Sequence, residues 1–189
     1  MRRRALSIVV IALVMTAAVA RAGEGSHPSL VPWKVVEIGA APEPFPLTLF
    51  WVPASPDEVR RSDLLASDEL TLYSSQCVAM RIVRLDDHAT LERLQITEEL
   101  PVVVLMDAEG DVLERAGSPI SLADVESIVR DELDDRAEAA EAMLDEAAEK
   151  ADDGEVDAAI ALYREVWEQR CVCPRQARAA HKALKRLSK

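Results

Sequence analysis

No Cys-x-x-Cys pair occurs in this chain, whose three cysteines are Cys77, Cys171 and Cys173. Dithiol exchange needs a thiolate of depressed pKa, commonly at a helix N-terminus, with a resolving thiol close by, so it has no ready-made site here. A Gly-rich phosphate loop, a metalloprotease signature and a Ser/His/Asp arrangement are also missing, which removes the common nucleotide-binding and hydrolase chemistries. Basic charge is scarce as well. Lysine and arginine number 22 against 34 acidic residues, and setting aside Arg2, Arg3, Arg4 and Arg21 leaves 18 against 34, a net charge near −16. A field of that sign repels phosphate backbones and anionic lipid, so no nucleic-acid partner is expected.

The one long apolar run, Ala5 to Val19, follows the basic Met1-Arg2-Arg3-Arg4 and precedes Ala20-Arg21-Ala22, a small-x-small cleavage signal before Gly23. Residues 1–22 therefore read as a secretory signal peptide. The run is shorter than the ~20 residues a spanning helix needs, which leaves an uncleaved N-terminal anchor as the alternative. No cysteine follows at a lipid-attachment distance. The expected location is periplasmic or secreted, in a bacterium, with no membrane insertion once the signal is removed.

Residues 23–46 read as a linker rich in Gly, Pro and Glu that leads into a first strand over Trp33 to Ile38, with Trp33 anchoring it. A second strand is expected over Leu47 to Val52. Ser55-Pro56-Asp57-Glu58 then forms a helix start. Ser55 is suited to the N-cap, its hydroxyl accepting from the N–H of residue 58, while Glu58 reaches back to the N-cap amide. Pro56 falls at the first helical position, where its missing N–H costs nothing, and Asp57 and Glu58 favour the positive helix end.

The stretch Phe50-Trp51-Val52-Pro53-Ala54-Ser55-Pro56-Asp57-Glu58 resembles the Phe-Trp-Ala-Pro-Trp-Cys-Gly-Pro-Cys of the thioredoxin family, with Ser55 and Glu58 where the two cysteines would stand. The resemblance covers roughly residues 45–133. It continues in a strand over Val78 to Leu85 that ends in Asp86, and in a short helix over Thr90 to Leu94 before Gln95-Ile96. Glu99-Leu100-Pro101 then matches the family's cis-proline site. Strands over Val102 to Met106 and Val112 to Ala116 flank the turn Asp107-Ala108-Glu109-Gly110-Asp111, where Gly110 can take a positive φ. Gly117 and a helix from Ser121 complete the series.

The resemblance implies a thioredoxin-like, three-layer α/β/α domain over residues 47–134. It also implies that Leu100 and Pro101 lie beside the first helix's N-terminus, next to Trp51, Pro53 and Ala54, where the backbone before the proline can pair with an extended peptide. The departures concern chemistry. Serine lacks the sulfur, nothing nearby supplies a base to activate it, and Leu49 stands where the family usually buries an aspartate. Ser55 and Glu58 are thus expected to be degenerate positions with a capping role and no catalytic one.

Beyond Ser121 the pattern is wholly helical, and residues 135–189 form an α-helical extension. Leu122, Val125, Ile128, Val129 and Leu133 make one apolar stripe that continues through Ala137, Ala140, Leu144 and Ala147, so one long helix is expected to join the two parts. Asp153-Gly154 breaks it. A second helix carries Val156, Ala159, Ile160, Tyr163, Val166 and Trp167, and a third carries Ala177, Ala180, Leu184 and Leu187. Gly154 to Tyr163 resembles the second half of a tetratricopeptide repeat. Such units usually need about three stacked copies, so this one is expected to lean on the α/β part, on a partner or on a second copy in a homodimer.

Cys77, just before a strand, is expected to be a buried small hydrophobe. Cys171 and Cys173 have four outcomes open to them: pairing with each other, with Cys77, with another chain, or ligating metal with His181. Three ligands at most make the metal reading poor, and no metal or cofactor is expected. His27 and His88 belong to no constellation, and Asp131-Glu132-Asp134-Asp135 reads as the solvated side of a helix. The sequence thus points to a redox-inactive protein-binding or assembly module that takes a protein or peptide partner. The alternative is an atypical thiol-disulfide oxidoreductase whose dithiol is Cys171 and Cys173.

Overall fold

A computed structural model describes residues 30–40, 43 and 45–188; the expected signal peptide and His27 lie outside these. The element order is β1 (Lys34–Val35), β2 (Leu47–Val52), α1 (Pro56–Arg61), a 3-10 turn (Asp63–Leu65), α2 (Asp68–Ser74), β3 (Val78–Ile82), α3 (His88–Arg93), β4 (Val102–Asp107), β5 (Val112–Ala116), α4 (Leu122–Asp152), α5 (Val156–Glu168) and α6 (Pro174–Leu187). The five strands make one mixed sheet in the order β1-β3-β2-β4-β5. β3 runs parallel to both β1 and β2, and β4 runs antiparallel to both β2 and β5. The fold is mixed α/β.

Every residue of β2 is buried, as a central strand covered on both faces requires. Leu47, Leu49 and Trp51 point to one face, where they join Val78, Met80, Ile82, Val103 and Leu105. Leu70 and Tyr73 of α2 and Val125, Val129 and Leu133 of α4 cover that face. Phe50 and Val52 point the other way, into a smaller core with Val83, Val102, Val104 and Met106, closed by Leu91 and Leu94 of the α3 segment. The alternation of period two along the strand is what divides these residues between two cores.

At the β4–β5 turn, Asp107 Oδ1 accepts from the N–H groups of Gly110 (2.9 Å) and Asp111 (2.8 Å), and Gly110 takes φ 94°. The Leu100-Pro101 bond is cis, as is Ser118-Pro119. Trp33 anchors the entry to β1: its Nε1–H donates to Leu64 C=O at 2.8 Å, and its ring meets Trp51 edge-on at 5.6 Å. β1 is two residues long, shorter than the expected Trp33 to Ile38, and β3 ends at Ile82 instead of Leu85. β1 is an edge strand with one neighbour, and the paired register of β3 with β2 closes at Trp51–Ile82, with Val83 N–H making the last bond, to Trp51 C=O at 2.8 Å.

α4 is unbroken over 31 residues, so the expected boundary at 134/135 falls inside a helix. Its first half packs on the sheet, while Ala140 and Ala147 join Ala159, Tyr163 and Val166 of α5 and Ala180 of α6 in the same continuous core. The helix stops in a Schellman arrangement. Glu155 N–H donates to Lys150 C=O at 2.9 Å and Gly154 N–H to Ala151 C=O at 3.2 Å, with Gly154 at φ 82°.

Cys77 is not the buried hydrophobe expected. It sits half-buried in the α2–β3 turn at φ 61° and is bonded to Cys171 in the α5–α6 turn, with Cα atoms 5.7 Å apart across 94 residues of sequence. The bridge ties the helical extension back to the α/β part, a proximity that no local pattern encodes. Loop-closure entropy for a ring of that length corresponds to about 4.7 kcal/mol. Cys77→Ser is accordingly expected to lower the unfolding free energy by several kcal/mol in urea titrations, up to about that figure. Non-reducing peptide mapping should recover Cys77 joined to Cys171 and Cys173 as a free thiol.

Asp87 caps α3 from a fully buried position, its Oδ1 accepting from Thr90 N–H at 3.2 Å. The Thr90 side chain holds its carboxyl below the usual 3.8, and the Thr90 backbone N–H adds to the effect against desolvation. A depressed carboxylate pKa contributes stability that is present above the unfolded value and lost as pH falls through the folded one. Stability measured from pH 6 downward should therefore begin to fall near the ordinary aspartate range, and Asp87→Asn should flatten that part of the acid limb.

Candidate functional site

The end of β2 and the start of α1 are built from the same short segment. Ser55 is the N-cap of α1, and its Oγ accepts from Glu58 N–H at 3.3 Å. Glu58 Oε2 accepts from the N–H of Ala54 at 2.7 Å, one residue earlier than the expected N-cap amide. The carboxylate reaches past Ser55 because Ala54 N–H also lies at this helix end, and two orphan donors are satisfied in the manner of a capping box. Ser55 and Glu58 are thus both engaged in closing the helix.

Around this cap the five expected binding residues are unequally exposed. Ala54 is open to solvent, Leu100 and Pro101 are half-buried, and Pro53 is buried. Trp51 is 0% exposed and lies in the sheet core against Trp33, so it supports the surface from beneath and offers no contact to a partner. Leu100 packs against the small core that contains Phe50 and Val52. Among the described residues, no hydrogen bond reaches the backbone N–H or C=O of Leu100.

Two depressions flank Ser55. One, of about 490 Å³, is lined by Glu58, Arg61, Asp63 and Leu64 on one side and by Ile120 and Leu122 on the other. The second, of about 590 Å³, is apolar and lies over the C-terminal ends of β1, β2 and β3, with Val35, Pro53, Pro56, Val59, Ile82 and Leu85 in its wall. Arg84 and Asp86 stand at its rim as a two-bonded ion pair of 2.8 and 2.6 Å, and the guanidinium holds the Asp86 carboxyl below its ordinary value. Sequence reasoning missed this cleft. Leu85, read as the end of a strand, lies past β3 and is 40% exposed in this wall.

The alternative dithiol is not assembled here. Cys171 is joined to Cys77, and Cys173 is a free thiol, 1% exposed, whose pKa burial pushes up. A buried protonated thiol is a poor nucleophile. His181 lies against Trp167 with ring centroids 4.5 Å apart, so it does not gather with the two sulfurs, and no group of three metal-ligating side chains occurs among the described residues. Tyr163 is buried in the helical core, while Trp167 is half-buried between His181 and the Arg170 guanidinium, 5.6 Å from its ring. No described helix is long and apolar enough to cross a membrane.

No protein-family model matches this chain, and no curated protein is significantly similar to it.

Ser55→Ala is expected to lower stability by about 0.5–2 kcal/mol, the usual worth of an N-cap side chain. Thermal or urea melts of Ser55→Ala and Glu58→Ala should both shift downward. An unchanged melt would show that neither side chain closes the helix.

Proposed function

We propose that this chain is an exported, redox-inactive, thioredoxin-like protein that binds a protein or peptide partner at the Leu100 side of the α1 N-terminus. The observation that carries the reading is the pair of bonds Glu58 N–H to Ser55 Oγ and Ala54 N–H to Glu58 Oε2. They give the two degenerate positions a complete structural role. The thioredoxin-like part of the proposal draws support from the order of the mixed sheet. Support for peptide capture comes from Leu100, a half-buried residue whose backbone groups carry no bond among the described residues, at the same end of the sheet as exposed Ala54. An extended segment needs only such free backbone groups and side-chain pockets.

The helical extension is read as a tetratricopeptide-like hairpin that spends its apolar face on packing. Tyr163 supports that reading from the core. Export to the periplasm or beyond is compatible with the Cys77–Cys171 bridge, since such bonds persist in oxidising compartments. N-terminal membrane anchoring remains the alternative form of the same export.

Two measurements test the reading. Purified protein should fail to catalyse insulin reduction, and any residual rate should be unchanged in Ser55→Ala; turnover abolished by Cys171→Ser would replace the binding reading with the oxidoreductase one. A photoreactive residue at Ala54 should then give adducts in the native envelope. Adducts confined to a probe at Glu168 would move the partner to the helical hairpin.

A further inference from the structure

The mature chain carries a large negative charge, yet α6 holds five basic residues and no acidic one. Arg175, Arg178, Lys182, Lys185 and Arg186 are all exposed. Steps of three and four residues put Arg175, Arg178, Lys182 and Lys185 on one helix face, with Arg186 at its border, over ~17 Å at 1.5 Å per residue. No salt bridge engages any of them among the described residues.

α4 carries the opposite pattern, with twelve acidic against three basic residues. Asp134, Glu138, Glu141, Asp145 and Glu149 are exposed, follow the same three- and four-residue steps, and make no salt bridge among the described residues. This stripe is ~22 Å long. The two helices pack on each other and on α5 through Ala140, Ala147 and Ala180, so both charged stripes lie away from the shared core and are free to meet another molecule.

We propose that the basic stripe of α6 docks on the acidic stripe of α4 in a second copy of the chain. The two stripes are opposite in sign, share the helical step, and can face each other over the ~17 Å of the shorter one. A second copy is the partner whose matching surface is itself described, and a two-fold arrangement uses both stripe pairs at once, as closed dimers commonly do. Exposed ion pairs are individually weak and are screened beyond about 8 Å at physiological ionic strength. The association is therefore modest, oriented by charge and sensitive to salt, and it works against the overall repulsion of two acidic chains. It is independent of the Leu100 site.

The test is sedimentation of the full chain, expressed with its own leader and purified as secreted. In about 0.1 M salt the weight-average mass should rise toward that of a dimer with concentration, and in about 0.5 M salt it should return to the monomer. Arg178→Glu with Lys182→Glu, and separately Glu138→Lys with Glu141→Lys, should each remain monomeric at the lower salt with unchanged thermal melts. Mixing the two variants should restore a dimer, because both stripe pairs are then complementary again. The proposal is overturned if the natural chain stays monomeric at millimolar concentration, if either reversal leaves self-association intact, or if the mixture of folded variants fails to pair. Binding of the natural chain to phosphatidylglycerol vesicles without self-association would also overturn it and assign the stripe to a membrane surface.

Discussion

A strand buried on both faces and bonded along both edges makes demands that the rest of this molecule answers. β2 sends Leu47, Leu49 and Trp51 to one side and Phe50 and Val52 to the other, so neither side can stay open to water. α3 closes the thinner face. α2 and the first half of α4 close the other, and because α4 does not stop at the sheet edge, the same helix must also carry a second packing surface. Its small residues Ala140 and Ala147 let α5 and α6 approach closely, and the Cys77–Cys171 bond fixes the far end of that arrangement to the α2–β3 turn. The extension is therefore part of one core, not a separate module on a tether.

The same strand sets the position of the candidate site. Its register against β4 runs to Val52–Val102, which delivers Pro53 and Ala54 from one strand and Pro101 from the other to the same end of the sheet. Ser55 and Glu58 then close the helix that follows. In this position a serine and a glutamate are useful because they accept hydrogen bonds from backbone N–H groups at the helix start. What remains is surface: half-buried Leu100 and Pro101, exposed Ala54, and an apolar cleft on the other flank of Pro53.

Much of this was legible in the sequence. β2, β4, β5 and the cap at Ser55 are set by local chemistry, so alternation, an ideal start signal and a five-residue turn sufficed to place them. Features that depend on neighbours were not legible. β1 shortened because an edge strand holds only what one partner holds, and the Glu58 carboxylate chose Ala54 over Ser55 through side-chain reach. Trp51, expected to line the binding surface, lies inward because residues 47, 49 and 51 share a face of a strand covered on both sides. The pairing of Cys77 with Cys171 joins turns 94 residues apart, and no spacing rule selects it from the four outcomes open to Cys171 and Cys173.

The central proposal is that the α1 N-terminus has the geometry of a dithiol site in which capping side chains occupy the two thiol positions. It is tested most directly by introducing sulfurs in the double variant Ser55→Cys, Glu58→Cys and following the thiolate absorbance of the introduced thiols against pH, with the Cys77–Cys171 bond intact. The account predicts that the thiol introduced at position 55 titrates below the ordinary value of about 8.5, as a thiol at a helix N-terminus does, and that mild oxidation joins it to the thiol at position 58. Two thiols that titrate at the ordinary value and stay unpaired under oxidation would contradict it.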